Sequence, residues 1–267
     1  AGTLALGSSD VVADAGNISV NGGTLDIGAN NETVTGVTLV SGSITGTTGT
    51  LTANTYAVQS GSISAKLGDR SAGTSTLTKT TGSTVTLSGD NAYEGQTTVS
   101  AGTLTVGHAN GLGTTDTGTT VASGATLNIN GVAVGAEALN VQGTGVGAAG
   151  AITGTGSLAG AITLAGDTTV GVASGTLTLS GAINDSTSTY GLTKLGAGEL
   201  VLSGINGYDG LTQVSVGTLT AAHDSALGGK IGVGSGTSVA SGAKLVLQDA
   251  DVGIEAIDVA GGTLAMT

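Results

Sequence analysis

The sequence predicts an all-β fold in which successive coils of the chain stack into parallel sheets, a β-solenoid of roughly 12 coils. Three observations lead to this fold class. A six-residue unit, Val-x-x-Gly-Thr-Leu, recurs along the chain, and short alternations of apolar and polar residues surround it. The 267 residues also include 51 Gly but no Pro, Cys, Trp or Phe. A chain with so little aromatic mass can fill its core with stacked small aliphatic side chains.

The six-residue unit marks one predicted strand and the turn before it. It begins at Val20, Val99, Val172, Val214 and Val259, and variants with one extra residue begin at Val121 and Val239. Apolar and polar residues alternate over about four positions in and around each unit, which predicts short half-buried strands. Gly and Asn suit the corners between strands. Pro would remove a backbone donor from a strand, so its absence agrees with extensive pairing.

A longer repeat contains these short units. Residues 77–113 and 192–228 share 19 of 37 amino acids at an offset of 115. We therefore interpret residues 1–267 as a single continuous solenoid segment of a larger protein, with long repeats at about 77–191 and 192–267, the second incomplete, and a partial repeat at 1–76. The alternative is a series of tandem antiparallel β-sandwich modules. The recurrence of the short unit inside each long repeat favours the solenoid.

Charge and composition exclude several classes of function. Six Lys and Arg against 18 Asp and Glu give a net charge of -12, so the chain cannot form the basic face that nucleic-acid binding needs. No apolar run reaches about 18 residues, so we predict no membrane span. Nothing in the sequence indicates a cofactor.

The segment LTKLGAGELVLSGINGYDGLTQVSVGTLT, which begins at Leu192, resembles the passenger-associated transport repeat of autotransporters, also described as an autotransporter-associated β-strand repeat. An earlier copy, LTKTTGSTVTLSGDNAYEGQTTVSAGTLT, begins at Leu77 and departs from the family pattern at Thr81 and Ser83, where the family has Gly. The motif residues are Lys79, Gly89, Asn91, Tyr93, Gly95 and Thr97 in the first copy, and Lys194, Gly204, Asn206, Tyr208, Gly210 and Thr212 in the second.

This resemblance implies a right-handed parallel β-helix that is exported to the outer surface of a Gram-negative bacterium. Filamentous-haemagglutinin-like surface proteins have the same type of repetitive sequence. It implies no catalytic residues. The expected function is a non-catalytic structural and adhesive rod segment of a secreted cell-surface, filament or biofilm protein. A carbohydrate-binding or polysaccharide-active β-helix is the alternative. We expect the partners to be further copies of the chain, end to end or laterally, and host or matrix surfaces, including glycans.

The repeated phrase Asn-x-Tyr-(Asp/Glu)-Gly has two interpretations. As a binding site, its Tyr and polar neighbours would contact a carbohydrate. As a structural corner, the Asn bonds to backbone in a turn, the Tyr caps the edge of a coil and the Gly permits the bend. We favour the corner, because two tyrosines 115 residues apart, Tyr93 and Tyr208, are too distant in a solenoid to share one small ligand.

Other polar residues give weaker indications. His108 and His223 occupy equivalent positions of the long repeat, but a metal site needs several converging ligands, so we predict none. Asp249 and Asp251 are candidates for one adventitious calcium ion. The single arginine, Arg70, and the scattered acids do not form the cluster that polysaccharide cleavage requires, so we expect no enzyme activity.

Overall fold

The computed structural model describes residues 2–70, 75–229, 235–252 and 255–267. Their regular structure consists of β-strands and one 3₁₀ turn, Val146–Ala148. The strands pair in parallel and stack into about 12 solenoid turns. The all-β class and the parallel solenoid are therefore confirmed. The β-sandwich alternative is wrong, because antiparallel modules would require neighbouring strands that run in opposite directions.

The chain divides into two compact units, residues 1–120 and 121–267. The strands of the first unit are β1 (Thr3–Ala5), β2 (Asn17–Gly28), β3 (Glu32–Thr33), β4 (Gly36–Gly46), β5 (Thr50–Ala53), β6 (Thr55–Val58), β7 (Gly61–Ile63), β8 (Lys66–Asp69), β9 (Thr76–Lys79), β10 (Thr84–Leu87), β11 (Thr97–Val99) and β12 (Thr103–Val106). Strand β13 (Thr119–Val121) contains the boundary between the units.

The first unit has three stacks of parallel strands. One stack contains the first half of β2, the first half of β4, β6, β9 and β11. A second contains β1, the second halves of β2 and β4, β7, β10 and β12. The third contains β3, β5 and β8. The coils that contain β3, β5 and β8 thus turn through three short strands before they return to the first stack, whereas the coils that contain β9 and β10 or β11 and β12 turn through two.

The strands of the second unit are β14 (Thr126–Val134), β15 (Leu139–Gly143), β16 (Ile152–Leu158), β17 (Ile162–Gly171), β18 (Thr176–Leu179), β19 (Ile183–Asn184), β20 (Leu192–Leu195), β21 (Glu199–Leu202), β22 (Thr212–Val214), β23 (Thr218–Ala221), β24 (Thr237–Val239), β25 (Lys244–Leu247), β26 (Ile257–Val259) and β27 (Thr263–Met266). One of its stacks ends with β20, β22, β24 and β26, and another with β18, β21, β23, β25 and β27. A shorter stack contains β15, the start of β17, and β19.

The core of each unit consists of like residues stacked on like. In the second unit, Leu177, Leu200, Leu219 and Leu245 are paired in register on successive strands. All four are fully buried. Burial of each leucine stabilises the fold by about 1.5–3 kcal/mol. The alternation seen in the sequence places these leucines inward and the residues that precede them, Thr176, Glu199, Thr218 and Lys244, outward.

The finer expectations stay predictions where nothing tests them. These are the right-handed sense of the coils and the interpretation of residues 1–267 as one continuous segment. None of the described helical residues belongs to a helix that is long and apolar enough to cross a membrane.

Candidate functional site

The two motif copies lie in equivalent parts of the two units. The first begins in β9 and β10 and the second in β20 and β21, and the Asn-x-Tyr phrase follows the second strand of each pair. Tyr93 and Tyr208 have 0% and 1% of their surface exposed. The sequence interpretation put these tyrosines at the edge of a coil, whereas the structure places them inside it. Neither ring is accessible to a carbohydrate.

Each motif asparagine joins the coil before it to the coil after it. The Asn91 Oδ1 accepts a hydrogen bond of 3.0 Å from the Leu67 backbone N–H, and its Nδ2 donates one of 2.8 Å to the Gly111 carbonyl. The Asn206 side chain makes the same pair of bonds, to the Ile183 N–H at 2.9 Å and the Ala226 carbonyl at 2.7 Å. Because both asparagines are buried, these bonds satisfy backbone groups that water cannot reach.

Each motif tyrosine is tied to the motif threonine four residues later. The Tyr93 and Thr97 hydroxyls are 2.7 Å apart, and those of Tyr208 and Thr212 are 2.6 Å apart. The Thr212 hydroxyl also donates to the Leu227 carbonyl at 3.2 Å, in the following coil. Burial raises the pKa of the Tyr208 hydroxyl above its ordinary value, so the group stays a neutral hydrogen-bonding hydroxyl.

Each motif lysine is buried among backbone carbonyls. The Lys194 Nζ donates to the carbonyls of Leu195, Gly196 and Val216, at 2.9, 2.7 and 3.1 Å. The Lys79 Nζ donates to the carbonyls of Thr81 and Ala101, the latter at 3.0 Å. Desolvation lowers the pKa of Lys194 to about 8 and also lowers the pKa of Lys79.

The motif glycines allow the stacked coils to approach closely. A Cβ on Gly89 would clash with the Ala65 carbonyl oxygen, and one on Gly204 with the Gly181 carbonyl oxygen. Gly95 and Gly210 are restricted in the same way by the backbone of the preceding coil. The φ angles of these four glycines are not positive, so the Gly is required for space and not for a left-handed bend.

Two aspartates outside the motif also bind its backbone, and the sequence analysis did not predict them. The Asp69 Oδ2 accepts from the Glu94 N–H at 2.9 Å, and the Asp185 Oδ2 accepts from the Asp209 N–H at 3.1 Å. Asp185 is buried. Each lies one coil before the motif, at residues 69 and 185. A search of the coil that precedes each copy would have found this pair.

The two equivalent histidines serve turns. The His108 Nδ1 accepts from the Asn110 N–H at 3.1 Å, and the His223 Nδ1 accepts from the Ser225 N–H at 3.0 Å. His108 also lies 3.8 Å from the Asp90 carboxylate. The hydrogen bond that the Asn110 side chain donates to the Asp90 carboxylate lowers the pKa of Asp90, and the charge of protonated His108 lowers it further. Each histidine thus stabilises a turn through a backbone N–H. A metal site would need further ligands beside it.

The remaining sequence candidates do not converge. The Asp251 N–H donates to the Asp224 carboxylate at 2.9 Å, and Asp249 adopts a φ of 47°. The Arg70 Nη1 donates to the Thr35 hydroxyl at 2.8 Å. Among the described residues, no group of three or more His, Cys, Asp or Glu side chains could hold a metal ion.

Comparisons with known proteins agree with the two motif copies. Residues 77–106 and 192–221 match the family described as Passenger-associated-transport-repeat. The chain is similar to the Adhesin BmaC autotransporter of Brucella suis biovar 1 (strain 1330), with 36% identity over 123 residues. This match covers 45% of the chain but 3% of that adhesin's length. No solved structure matches the chain.

Proposed function

We propose that this chain is part of an autotransporter passenger domain and serves as a non-catalytic structural and adhesive segment of a protein on the surface of a Gram-negative bacterium. The two passenger-associated transport repeats support the first part of this proposal. The relative named as an adhesin supports the adhesive role. The observation that carries the structural role is the use of the polar motif side chains in bonds between successive coils.

In this proposal, the function of the motif residues is to hold coils together. The polar motif side chains of each copy join three consecutive coils by hydrogen bonds. In the second copy, the Asn206 amide reaches backward to Ile183 and forward to Ala226, while the Lys194 ammonium reaches forward to Val216. Each such bond contributes about 0.5–1.5 kcal/mol, and each buried group left without its partner would cost more. Polar side chains engaged in this way are not available to a substrate.

The mechanical consequence is a spacer. A parallel solenoid lengthens by about 4.8 Å for each coil, which makes it an economical way to build length. We therefore propose a rod segment that holds other parts of its protein away from the cell, or that joins further molecules in a filament or biofilm. Hydrogen bonds between coils would supply the rigidity.

The adhesive role is tested with beads that carry the purified chain. The beads are presented to host-cell monolayers, to wells coated with matrix proteins and to a glycan array. We expect them to attach to at least one of these surfaces more strongly than beads that carry an unrelated β-solenoid. Equal attachment on every surface would contradict the adhesive role.

The carbohydrate-active alternative is tested with the double variant Tyr93→Phe and Tyr208→Phe. Both rings stay in the core, and only the buried hydroxyls are removed. We expect glycan binding and attachment to be unchanged. Specific glycan binding that disappears in a variant that remains folded, or release of reducing ends from a polysaccharide by the wild-type chain, would favour the alternative.

A further inference from the structure

One outer face of the second unit has a self-complementary pattern of charge. We call it the ladder face, and it consists of the outward positions of β18, β21, β23, β25 and β27. These strands are paired in register, so that one column of residues runs up the face. The column is Thr176, Glu199, Thr218, Lys244 and Thr263.

The two charged residues of this column lie symmetrically about Thr218. Glu199 is one strand before it and Lys244 one strand after it, each about 4.8 Å along the stack. The Thr220 and Thr176 hydroxyls donate to the Glu199 carboxylate at 2.5 and 3.3 Å, which fixes its position. Lys244 is exposed, and within the described part of the chain its ammonium has no hydrogen-bond or ion-pair partner.

We propose that the ladder face binds the same face of a second copy of this chain, with the two stacks antiparallel. The two-fold axis lies between the two copies, parallel to β23 and level with Thr218. It brings Glu199 of each copy opposite Lys244 of the other. Thr176 comes opposite Thr263, and Thr218 opposite itself. The parallel arrangement would instead place Glu199 opposite Glu199, so the charges select the antiparallel one.

The net charge of the face also favours self-association. The chain carries a net charge of -12, and most of its surface therefore repels a second copy. The outward positions of the five ladder strands include one acid and one base, so their charges cancel. The proposal goes beyond the adhesive role and does not depend on it, because a surface protein can adhere without pairing.

The first long repeat lacks this charge pattern. The residues that align with Glu199, Thr218 and Lys244 are threonines in the first repeat, namely Thr84, Thr103 and Thr126. The pattern is therefore not required by the repeat itself. It also provides a control, since a charge added at Thr84 falls on an equivalent strand without a complementary partner.

The face is small, and the dimer is correspondingly weak. Five strands at about 4.8 Å cover less than the ~800 Å² per partner of a standard interface. We expect a Kd on the order of 0.1 mM at low salt, and weaker binding as salt screens the charges. Sedimentation analysis from micromolar to millimolar concentration measures this range.

The experiment uses charge reversal and its repair. Glu199→Lys and Lys244→Glu, each alone, place like charges opposite each other at two positions of the dimer. We expect each to raise the Kd about tenfold or more. The double variant Glu199→Lys/Lys244→Glu restores opposite charges and should recover dimerisation, while Thr84→Lys should leave it unchanged. Thermal melting confirms that each variant is folded.

Two results would overturn the proposal. One is a wild-type chain that stays monomeric at millimolar concentration. The other is a folded double variant that dimerises as poorly as the single variants, which would show that the two charges do not face each other across the interface. Lys244→Glu keeps the test independent of folding, because the Lys244 side chain makes no hydrogen bond or ion pair within the described residues and only its backbone takes part in strand pairing.

Discussion

The first copy of the repeat, in residues 77–106, and the second, in residues 192–221, make the same bonds inside their coils. Asn91 bonds to its neighbouring coils at 3.0 and 2.8 Å, and Asn206 does so at 2.9 and 2.7 Å. The Tyr–Thr hydroxyl distances, 2.7 and 2.6 Å, agree as closely.

The outward positions of the two copies differ. The second copy exposes Ile205, Leu211 and Val216, whose exposed fractions are 66%, 40% and 46%. The first copy has Asp90, Gln96 and Ala101 at the aligned positions. The comparison indicates that hydrogen bonds between coils preserve the repeat, whereas the outer surface is free to change its chemistry. A surface protein can in this way alter what it binds without altering how it folds.

The strongest test of this comparison removes the buried tyrosines. Tyr93→Ala and Tyr208→Ala each leave a large cavity and remove the hydrogen bond between the tyrosine hydroxyl and the threonine hydroxyl four residues later. We expect each to lower the free energy of unfolding by about 3–5 kcal/mol, measured by urea denaturation followed by circular dichroism.

Tyr190 provides the matched control, because it is partly exposed and outside the motif. Tyr190→Ala should cost clearly less than either motif variant. If one motif variant lost much more free energy of unfolding than the other, the buried parts of the two copies would not be equivalent.

The next test removes the bonds between coils. Asn91→Ala and Asn206→Ala each leave one buried N–H and one buried carbonyl without a partner. The expected loss is about 2–4 kcal/mol in each copy. The exposed Asn21 serves as the control, and Asn21→Ala should change the free energy of unfolding by less than about 0.5 kcal/mol. A motif loss as small as the control would mean that water replaces the asparagine.

A third test uses pH. The pKa of Lys194 is lowered to about 8 in the folded protein, whereas a lysine in the unfolded chain has a pKa of about 10.4. Between about pH 8 and about pH 10.4, the unfolded chain therefore binds more protons than the folded one. The free energy of unfolding of the wild type, relative to Lys194→Met, should therefore rise with pH across this window. Lys79→Met should show the same sign, since the pKa of Lys79 is also lowered. A difference that falls with pH would contradict the desolvation of the ammonium.

The sequence predicted the parts of the fold in which apolar and polar residues recur at a regular spacing. The alternation around Leu177 and Leu200 indicated strands with one buried face, and the short repeat indicated parallel stacking. The positions of Tyr93 and Tyr208 were not predicted, because the Asn-x-Tyr phrase is not a strand and no period assigns it a face. Asp185 was missed because its bond joins residues one coil apart, a distance along the chain at which the two long copies no longer align.

The smallest effect concerns a corner at which the first copy departs from the family pattern. Thr81 takes the position of Gly196, and its hydroxyl donates to the Gln59 carbonyl at 2.5 Å. The threonine therefore adds a bond that the second copy lacks. Thr81→Gly removes this bond and gives the unfolded chain more freedom, so we expect a loss of about 1–1.5 kcal/mol.

Ser83→Gly separates the two contributions within the same corner. Ser83 is exposed, and no side-chain bond of Ser83 occurs among the residues that the structure describes. Its replacement should cost only the backbone term, about 0.4–1 kcal/mol. If Thr81→Gly proved stabilising in urea denaturation, the glycine of the family pattern would be the better residue here, and the first copy would carry strain that the second does not.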